Sequence, residues 1–328
     1  MSKPKAVVLA PMRGPSWDQL QELADCHYDP SIEHIPLRMH KEEDLAALVR
    51  EHGATILISE IDKVAGPVLE EPLLVVASTR GEPTNVDIPA ATAKGIPVLR
   101  APGRNADGVA EITVALMFAA SRHVVAGDRA VREGKIYSDG TIPYQRYRAW
   151  ELNGRTLGIV GYGAIGRALA WRAKGLGMNV ITYDPFAKDA THADLDALVA
   201  ESDVVSLHAP VTEETTGMFG EKQFAAMREG SIFLNAARAY LHDQDALIAA
   251  LKDGPLAAAG LDHFPHEYLD PASELAQLPN VVLTPHIGGA TYDTEANHTR
   301  IVVDGIAALL KGERPETIVN PEVLKGGA

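Results

Sequence analysis

TLGIVGYGAIGRALAWRAKGLGMNVITYDP, residues 156–185, decides how this chain folds. A strand starts at Thr156 and runs into Gly161, Gly163 and Gly166, which form G-x-G-x-x-G, and a helix carrying Ile165, Leu169 and Ala173 follows. In that setting Gly161 permits a tight turn, Gly163 lets the backbone approach a pyrophosphate, and Gly166 allows close helix–strand packing. The helix N-terminus, with Ala164 and Ile165, offers N–H groups and the positive end of a dipole to phosphates. A second strand, 179–183, leads to Asp184, 18 residues beyond Gly166. A carboxylate there accepts hydrogen bonds from ribose hydroxyls and repels a 2′-phosphate, which favours NAD over NADP. A glycine triplet alone is only a tight turn; strand, helix and acid together make a dinucleotide site.

Outward from this unit the same alternation continues. Short apolar runs at 204–207, 231–234, 257–261 and 281–284 read as further strands, and so do 6–9, 55–59, 73–77 and 97–99 before it. Helical spacing marks 17–24, with Ser16 as its N-cap, and 41–51, which stops at Gly53. Strand–helix alternation implies parallel sheets with crossover helices. One long helix is expected over 107–132, with Ala110, Val114, Met117 and Phe118 on one face, followed by a polar, aromatic loop at 135–150 without helix or strand period. Helical spacing returns after Thr291 and lasts to Leu310, and 323–328 reads as frayed. The expected fold is α/β: two Rossmann-like or flavodoxin-like domains with parallel sheets and a cleft between them. The 135–150 loop reads as the connection into a second α/β unit that begins at Thr156.

Composition narrows the function. The 328 residues are 46% hydrophobic and 23% charged, as in a folded globular protein. A net charge of −14 argues against a nucleic-acid partner. The longest apolar stretch, 112–120, falls short of the roughly 20 residues a membrane helix needs. The single cysteine, Cys26, excludes a disulfide framework and a cysteine-rich metal site and fits a reducing compartment, so no metal is expected. The N-terminal MSKPKAVVLAPMRG reads as a first strand rather than a signal peptide, so the expected location is the cytoplasm.

Three segments lie at strand ends of the second unit, where open α/β sheets place ligands: Asn235–Arg238, 261–267 and 284–289. They bring an arginine able to clamp a carboxylate bidentately, an imidazole able to pass a proton near neutral pH, and a carboxylate to support it. The order of these motifs resembles the D-isomer-specific 2-hydroxyacid dehydrogenase family, on its phosphoglycerate dehydrogenase-like branch. The resemblance also rests on Asn85-Val86-Asp87, Pro102-Gly103-Arg104-Asn105, Val109-Ala110-Glu111 and His208-Ala209-Pro210, and covers nearly the whole chain.

The resemblance implies an NAD-dependent enzyme that moves a hydride between nicotinamide and a 2-hydroxy or 2-oxo acid, with residues 1–101 completed by 292–328 as the substrate domain and 102–291 as the nucleotide domain. It assigns Arg238 to the carboxylate, His286 to general acid/base work, and Glu267, 29 residues after Arg238, to its support. Asp262 matches the contact to the nicotinamide carboxamide, Ala209 and Pro210 the adenosine side, and Thr113 a further cofactor contact; Ala236, Gly288 and Gly289 complete the expected cofactor set. Arg80, Gly81 and Glu82 are expected to reach substrate, whereas Arg13, Arg38 and Arg104 read as solvated charges. His208 reads as structural, and His263 could face the pocket or replace a packing valine. Three departures from the family pattern stand out: Ala239 for glycine, His263 for valine and Tyr268 for proline. If the backbone at 239 needs positive φ, alanine there costs roughly 1 kcal/mol.

A 3-phosphoglycerate-like acid is the first substrate expected, with a hydroxypyruvate, glyoxylate or sugar-acid reductase as the alternative. An NAD-sensing interaction scaffold is the alternative of another class. Formate-type relatives pair the histidine with glutamine, so Glu267 argues against them. The 107–132 helix and the aromatic loop, with Tyr144, Tyr147 and Trp150, suggest a homodimer.

Overall fold

Eleven strands among the described residues, 3–324 of this computed structural model, build two wholly parallel sheets. The first holds β1 (Lys5–Val8), β2 (Asp25–Tyr28), β3 (Ile56–Ser59), β4 (Val75–Ser78) and β5 (Val98–Leu99) in the order β2-β1-β3-β4-β5. That is the flavodoxin-like order. Successive side chains on a strand point to opposite faces. Val7, Leu57 and Val76 therefore pack with Leu45 and Val49 of the helix Glu42–His52. Ala6, Val8, Ile56, Ile58 and Ala77 pack on the other face with Leu20, Val302, Val303 and Ile306. The last three belong to the helix Tyr292–Leu310, which Thr291 caps by accepting a hydrogen bond from the Thr294 N–H. The chain up to Arg104 and from Thr291 onward thus forms one unit, and Asn105–Ala290 the other. The sequence reading put the divisions after 101 and before 292.

The second sheet holds β6 (Thr156–Val160), β7 (Asn179–Tyr183), β8 (Val204–Leu207), β9 (Ser231–Asn235), β10 (Leu256–Leu261) and β11 (Val281–Leu283). Its order is β11-β10-β9-β8-β6-β7, extended past β7 by a single parallel bridge from Tyr183 to His192. Strand order reverses between β6 and β8, so the glycine loop after β6 opens at the switch point where such sheets take their ligands. Leu157, Ile159, Ile232 and Leu234 face one layer with Leu116 and Met117 of the helix Ala106–Ser121. Val160, Val205, Leu207 and Phe233 face the other, where Phe219, Phe224 and Phe233 meet with ring centroids 4.8–5.0 Å apart.

Local expectations change in five places. Ser16 lies inside the helix Pro15–Leu23 and Gly14 is its N-cap, because Pro15 is preorganised for the first helical position. The helix expected over 107–132 is two helices, Ala106–Ser121 and Val124–Arg132, bent by 64° where His123 takes φ 55°. The loop 135–150 contains a short helical turn, Pro143–Arg146. The strand Asp25–Tyr28 escaped detection because an edge strand of polar, half-exposed residues carries no apolar alternation. Residues 323 and 324 close a 3₁₀ turn, Pro321–Leu324, whereas 325–328 lie outside the described residues. No single helix among the described residues is long and apolar enough to cross a membrane.

Candidate active site

At the switch point Gly161 takes φ 94°, and a Cβ there would stand 2.5 Å from the Ala209 nitrogen. Only glycine lets β6 turn this tightly against the strand-end segment that follows β8. A Cβ at Gly166 would fall 2.2 Å from the Gly161 carbonyl oxygen, so Gly166 serves helix packing, whereas nothing stands within 4 Å of a Cβ at Gly163. The helix Ala164–Gly175 begins there without a side-chain cap, and its N-terminus opens onto that space. These features suit a pyrophosphate. Asp184 holds the loop from the next strand: its Oδ2 accepts from the Tyr162 N–H and its Oδ1 from the Phe186 N–H, both at 2.8 Å.

At the end of β9, buried Asn235 shapes the turn that presents Arg238. Its Oδ1 accepts from the N–H groups of Ala237 and Arg238 (3.0 and 3.3 Å), and its Nδ2 donates to the Arg238 carbonyl (2.9 Å). The Arg238 side chain is exposed and donates to the neighbouring Ala237 carbonyl. Ala239 enters a 3₁₀ turn, Ala239–Leu241, and is not among the residues with positive φ, so the strain considered for alanine does not arise.

Beyond β10 and β11 two loops are tied together. Asp262 is fully buried; its Oδ1 accepts from the Thr284 hydroxyl (2.6 Å) and the Ile287 N–H (2.9 Å), and its Oδ2 from the Gly288 N–H (2.8 Å). This carboxylate therefore sets the backbone on either side of His286. The His286 Nδ1–H donates to Glu267 Oε1 at 2.9 Å, which leaves Nε2 for other work. His266, Glu267 and His286 all take φ 55°, a left-handed conformation that costs roughly 1–2 kcal/mol for each non-glycine residue. Such strain gathers where surrounding structure over-determines a site. The His263 ring packs against His286 with centroids 3.8 Å apart. Burial, then the nearby His286 and Arg238 charges, push the His263 imidazole down to about 3.

Glu267 and His286 thus meet directly, and Arg238 lies close enough to act on His263. Other expectations fall differently. Thr113 is fully buried, and its hydroxyl donates to the Val109 carbonyl one turn back. Asp262 and Gly288 are buried against one another, so in this structure the aspartate organises a loop and reaches no open surface. Ala209 and Ala236 are also buried, while Pro210 is exposed and Gly289 half-buried. Arg80, Gly81 and Glu82 follow β4 in the first unit, where Glu82 pairs with Arg100. Arg104 is no solvated charge: largely buried, it pairs with Glu60 at 2.6 Å and donates to His298 Nδ1 at 2.9 Å. Sequence reasoning left His263 open and missed the positioning role of Asp262. The position of Asp262 directly after β10, with Thr284 directly after the adjacent β11, was the available signal.

Three buried imidazoles outside this cluster make stability pH-dependent. Burial pushes His208, His242 and His298 each down to about 4. His208 Nε2 lies 2.8 Å from the hydroxyl of Ser206 in β8, and His298 Nε2 donates to the Pro11 carbonyl. Each stays neutral when folded and gains a proton in the unfolded chain below about pH 6.5. Their contribution is therefore fully present above pH 6.5 and lost as pH falls towards 4. The urea midpoint is expected to drop through this window, and His208→Gln to flatten the slope by up to about 1.4 kcal/mol per pH unit. An equally steep profile in the variant would refute the assignment.

A doubly wound parallel sheet with this glycine loop, and a paired imidazole and carboxylate at neighbouring strand ends, defines a dinucleotide-dependent α/β enzyme. Residues 114–288 match the model of the D-isomer specific 2-hydroxyacid dehydrogenase NAD binding domain. The chain belongs to the D-isomer-specific 2-hydroxyacid dehydrogenase family. It is 39% identical over 308 residues to the glyoxylate reductase of Thermococcus litoralis, which covers 90% of each chain. It is 41% identical over 243 residues to the D-3-phosphoglycerate dehydrogenase of Archaeoglobus fulgidus, covering 72% of this chain and 45% of that one. The NAD-complexed D-isomer-specific 2-hydroxyacid dehydrogenase of Lactobacillus delbrueckii superposes with a TM-score of 0.80 at 25% identity, over 97% of this chain and 100% of that one.

Proposed function

We propose that this NAD-dependent 2-hydroxyacid dehydrogenase reduces a small 2-oxo acid of the glyoxylate or hydroxypyruvate type, with His286 as proton donor, Glu267 as its support and Arg238 as the carboxylate clamp. The observation that carries the reading is the 2.9 Å hydrogen bond from His286 Nδ1 to Glu267, on the turn that Asp262 holds. The nicotinamide supplies the hydride when bound. Arg238 offers a planar fork to the acid's carboxylate and so orients its carbonyl carbon. His286, charged and directed by Glu267, gives its Nε2 proton to the carbonyl oxygen as negative charge develops there; in the reverse direction it takes the hydroxyl proton. Relatives covering nine-tenths of both chains support glyoxylate as first choice over the 3-phosphoglycerate expected from sequence, since the phosphoglycerate relative is matched over less than half its length.

A panel of 2-oxo acids, followed by loss of NADH absorbance, tests this. Glyoxylate and hydroxypyruvate are expected to give the highest kcat/KM, and turnover of none of the panel would overturn the reading. NADH is expected to be preferred over NADPH, and Asp184→Ala to narrow that preference by removing the charge that repels a 2′-phosphate. Equal use of both cofactors by the wild type would contradict the role given to Asp184.

The same reading includes a homodimer. Val124, Val125 and Val131 on the helix Val124–Arg132, with Tyr137, Tyr144 and Trp150 just after it, are exposed in the single chain. Apolar surface concentrated in one segment suits a second copy, and closed two-fold dimers are the commonest solution. Light scattering is expected to give twice the chain mass at micromolar concentration, and a stable monomer would exclude it.

A further inference from the structure

We propose that His263, Glu267 and His286 form a binding site for a divalent transition-metal ion, zinc by its donor chemistry, and that the metal competes with the 2-oxo acid for His286. The expectation that the chain holds no metal rested on its single cysteine, but cysteine is not required. One ligand atom from each of the three residues lies within 4.8 Å of the other two. Two imidazoles and a carboxylate suit zinc, whereas calcium and magnesium take oxygen sets.

His263 makes the cluster a site. Its ring is buried and packs at 3.8 Å on His286. A neutral imidazole keeps a lone pair on one ring nitrogen, the donor a metal takes. Tetrahedral zinc with ligands near 2.0–2.1 Å needs donor atoms about 3.3 Å apart. The three donor atoms stand within 4.8 Å of one another, and the Glu267 and His286 side chains are exposed, so their hydrogen bond must open and the two must turn by roughly an ångström or two towards His263 to reach that spacing. A fourth position stays open to water. The proposed mechanism leaves His263 without a task.

The competition rests on the proposed catalytic role of His286, whereas metal binding does not. Two measurements therefore separate the claims: the visible spectrum of the protein with cobalt(II) and no substrate, and zinc titration of NADH-dependent turnover, each on wild type and His263→Val. One cobalt per chain with the strong visible bands of a four-coordinate site is expected in the wild type, lost in His263→Val. The zinc midpoint, referred to each protein's own uninhibited rate, is expected to rise at least tenfold in the variant, and inhibition of the wild type to be competitive with the 2-oxo acid. A weak spectrum like that of hydrated cobalt in the wild type overturns the site, as does equal zinc inhibition of both proteins. A cobalt site lost in His263→Val without zinc inhibition upholds the site and counts against catalysis by His286. Should His263→Val not fold, Glu267→Gln must abolish the same cobalt bands, and their persistence overturns the proposal.

Discussion

His286→Ala is expected to lower kcat/KM for reduction by about 10²–10⁴, the range over which a positioned general acid contributes. The loss should fall on kcat, because the imidazole gives its proton as the alkoxide forms and adds little to binding the acid. Fold and cofactor binding should survive. The side chain is exposed, and the backbone around it is held by Asp262 through the Ile287 and Gly288 N–H groups and not by the imidazole. Alanine still has to take the positive φ of position 286, so a modest fall in thermal midpoint accompanies the catalytic loss. Glu267→Gln keeps an oxygen to accept from Nδ1–H but removes the negative charge, and its loss should be smaller. Steady-state kinetics with tryptophan-fluorescence titration of NADH decide the matter: a variant with wild-type kcat and unchanged NADH affinity removes His286 from the chemistry.

Arg238→Lys is expected to cost about 10–100-fold in kcat/KM, with KM raised and kcat lowered together. A lysine keeps the charge but presents a point donor in place of a planar fork, so one of two charge-assisted hydrogen bonds to the carboxylate is lost and the acid is less firmly oriented. A charged hydrogen bond contributes about 1.5–3 kcal/mol, which sets the range. The turn itself does not depend on the guanidinium: Asn235 makes three hydrogen bonds to the backbone of Ala237 and Arg238. Stability should therefore stay near wild type while kinetics change. An Arg238→Lys protein with unaltered KM across the 2-oxo acid panel would show that the carboxylate is held elsewhere.

Much of the architecture was written locally. Residues 156–185 carry strand, glycine turn, helix, strand and acid in unbroken succession, so short-range sterics and hydrophobic period settle that unit without help from distant parts of the chain. Parallel sheets followed from buried apolar runs alternating with helical spacing, and the helix after Thr291 was legible from the same spacing. The family's motifs also singled out Arg238, Glu267 and His286 by spacing. Other features needed the third dimension. The break at His123 comes from one residue adopting a left-handed conformation, which no periodicity announces. The sequence marks Thr113 and Asp262 as expected cofactor contacts, but only the folded chain shows that both are buried and that Asp262 anchors the His286 loop. Arg104 and His298 are 194 positions apart in the chain and become partners only when the helix Tyr292–Leu310 returns to the first sheet. His263 was ambiguous for the same reason. A side chain at a strand end can face either way, and only the packing of β10 beside β11 brings its ring to 3.8 Å from His286.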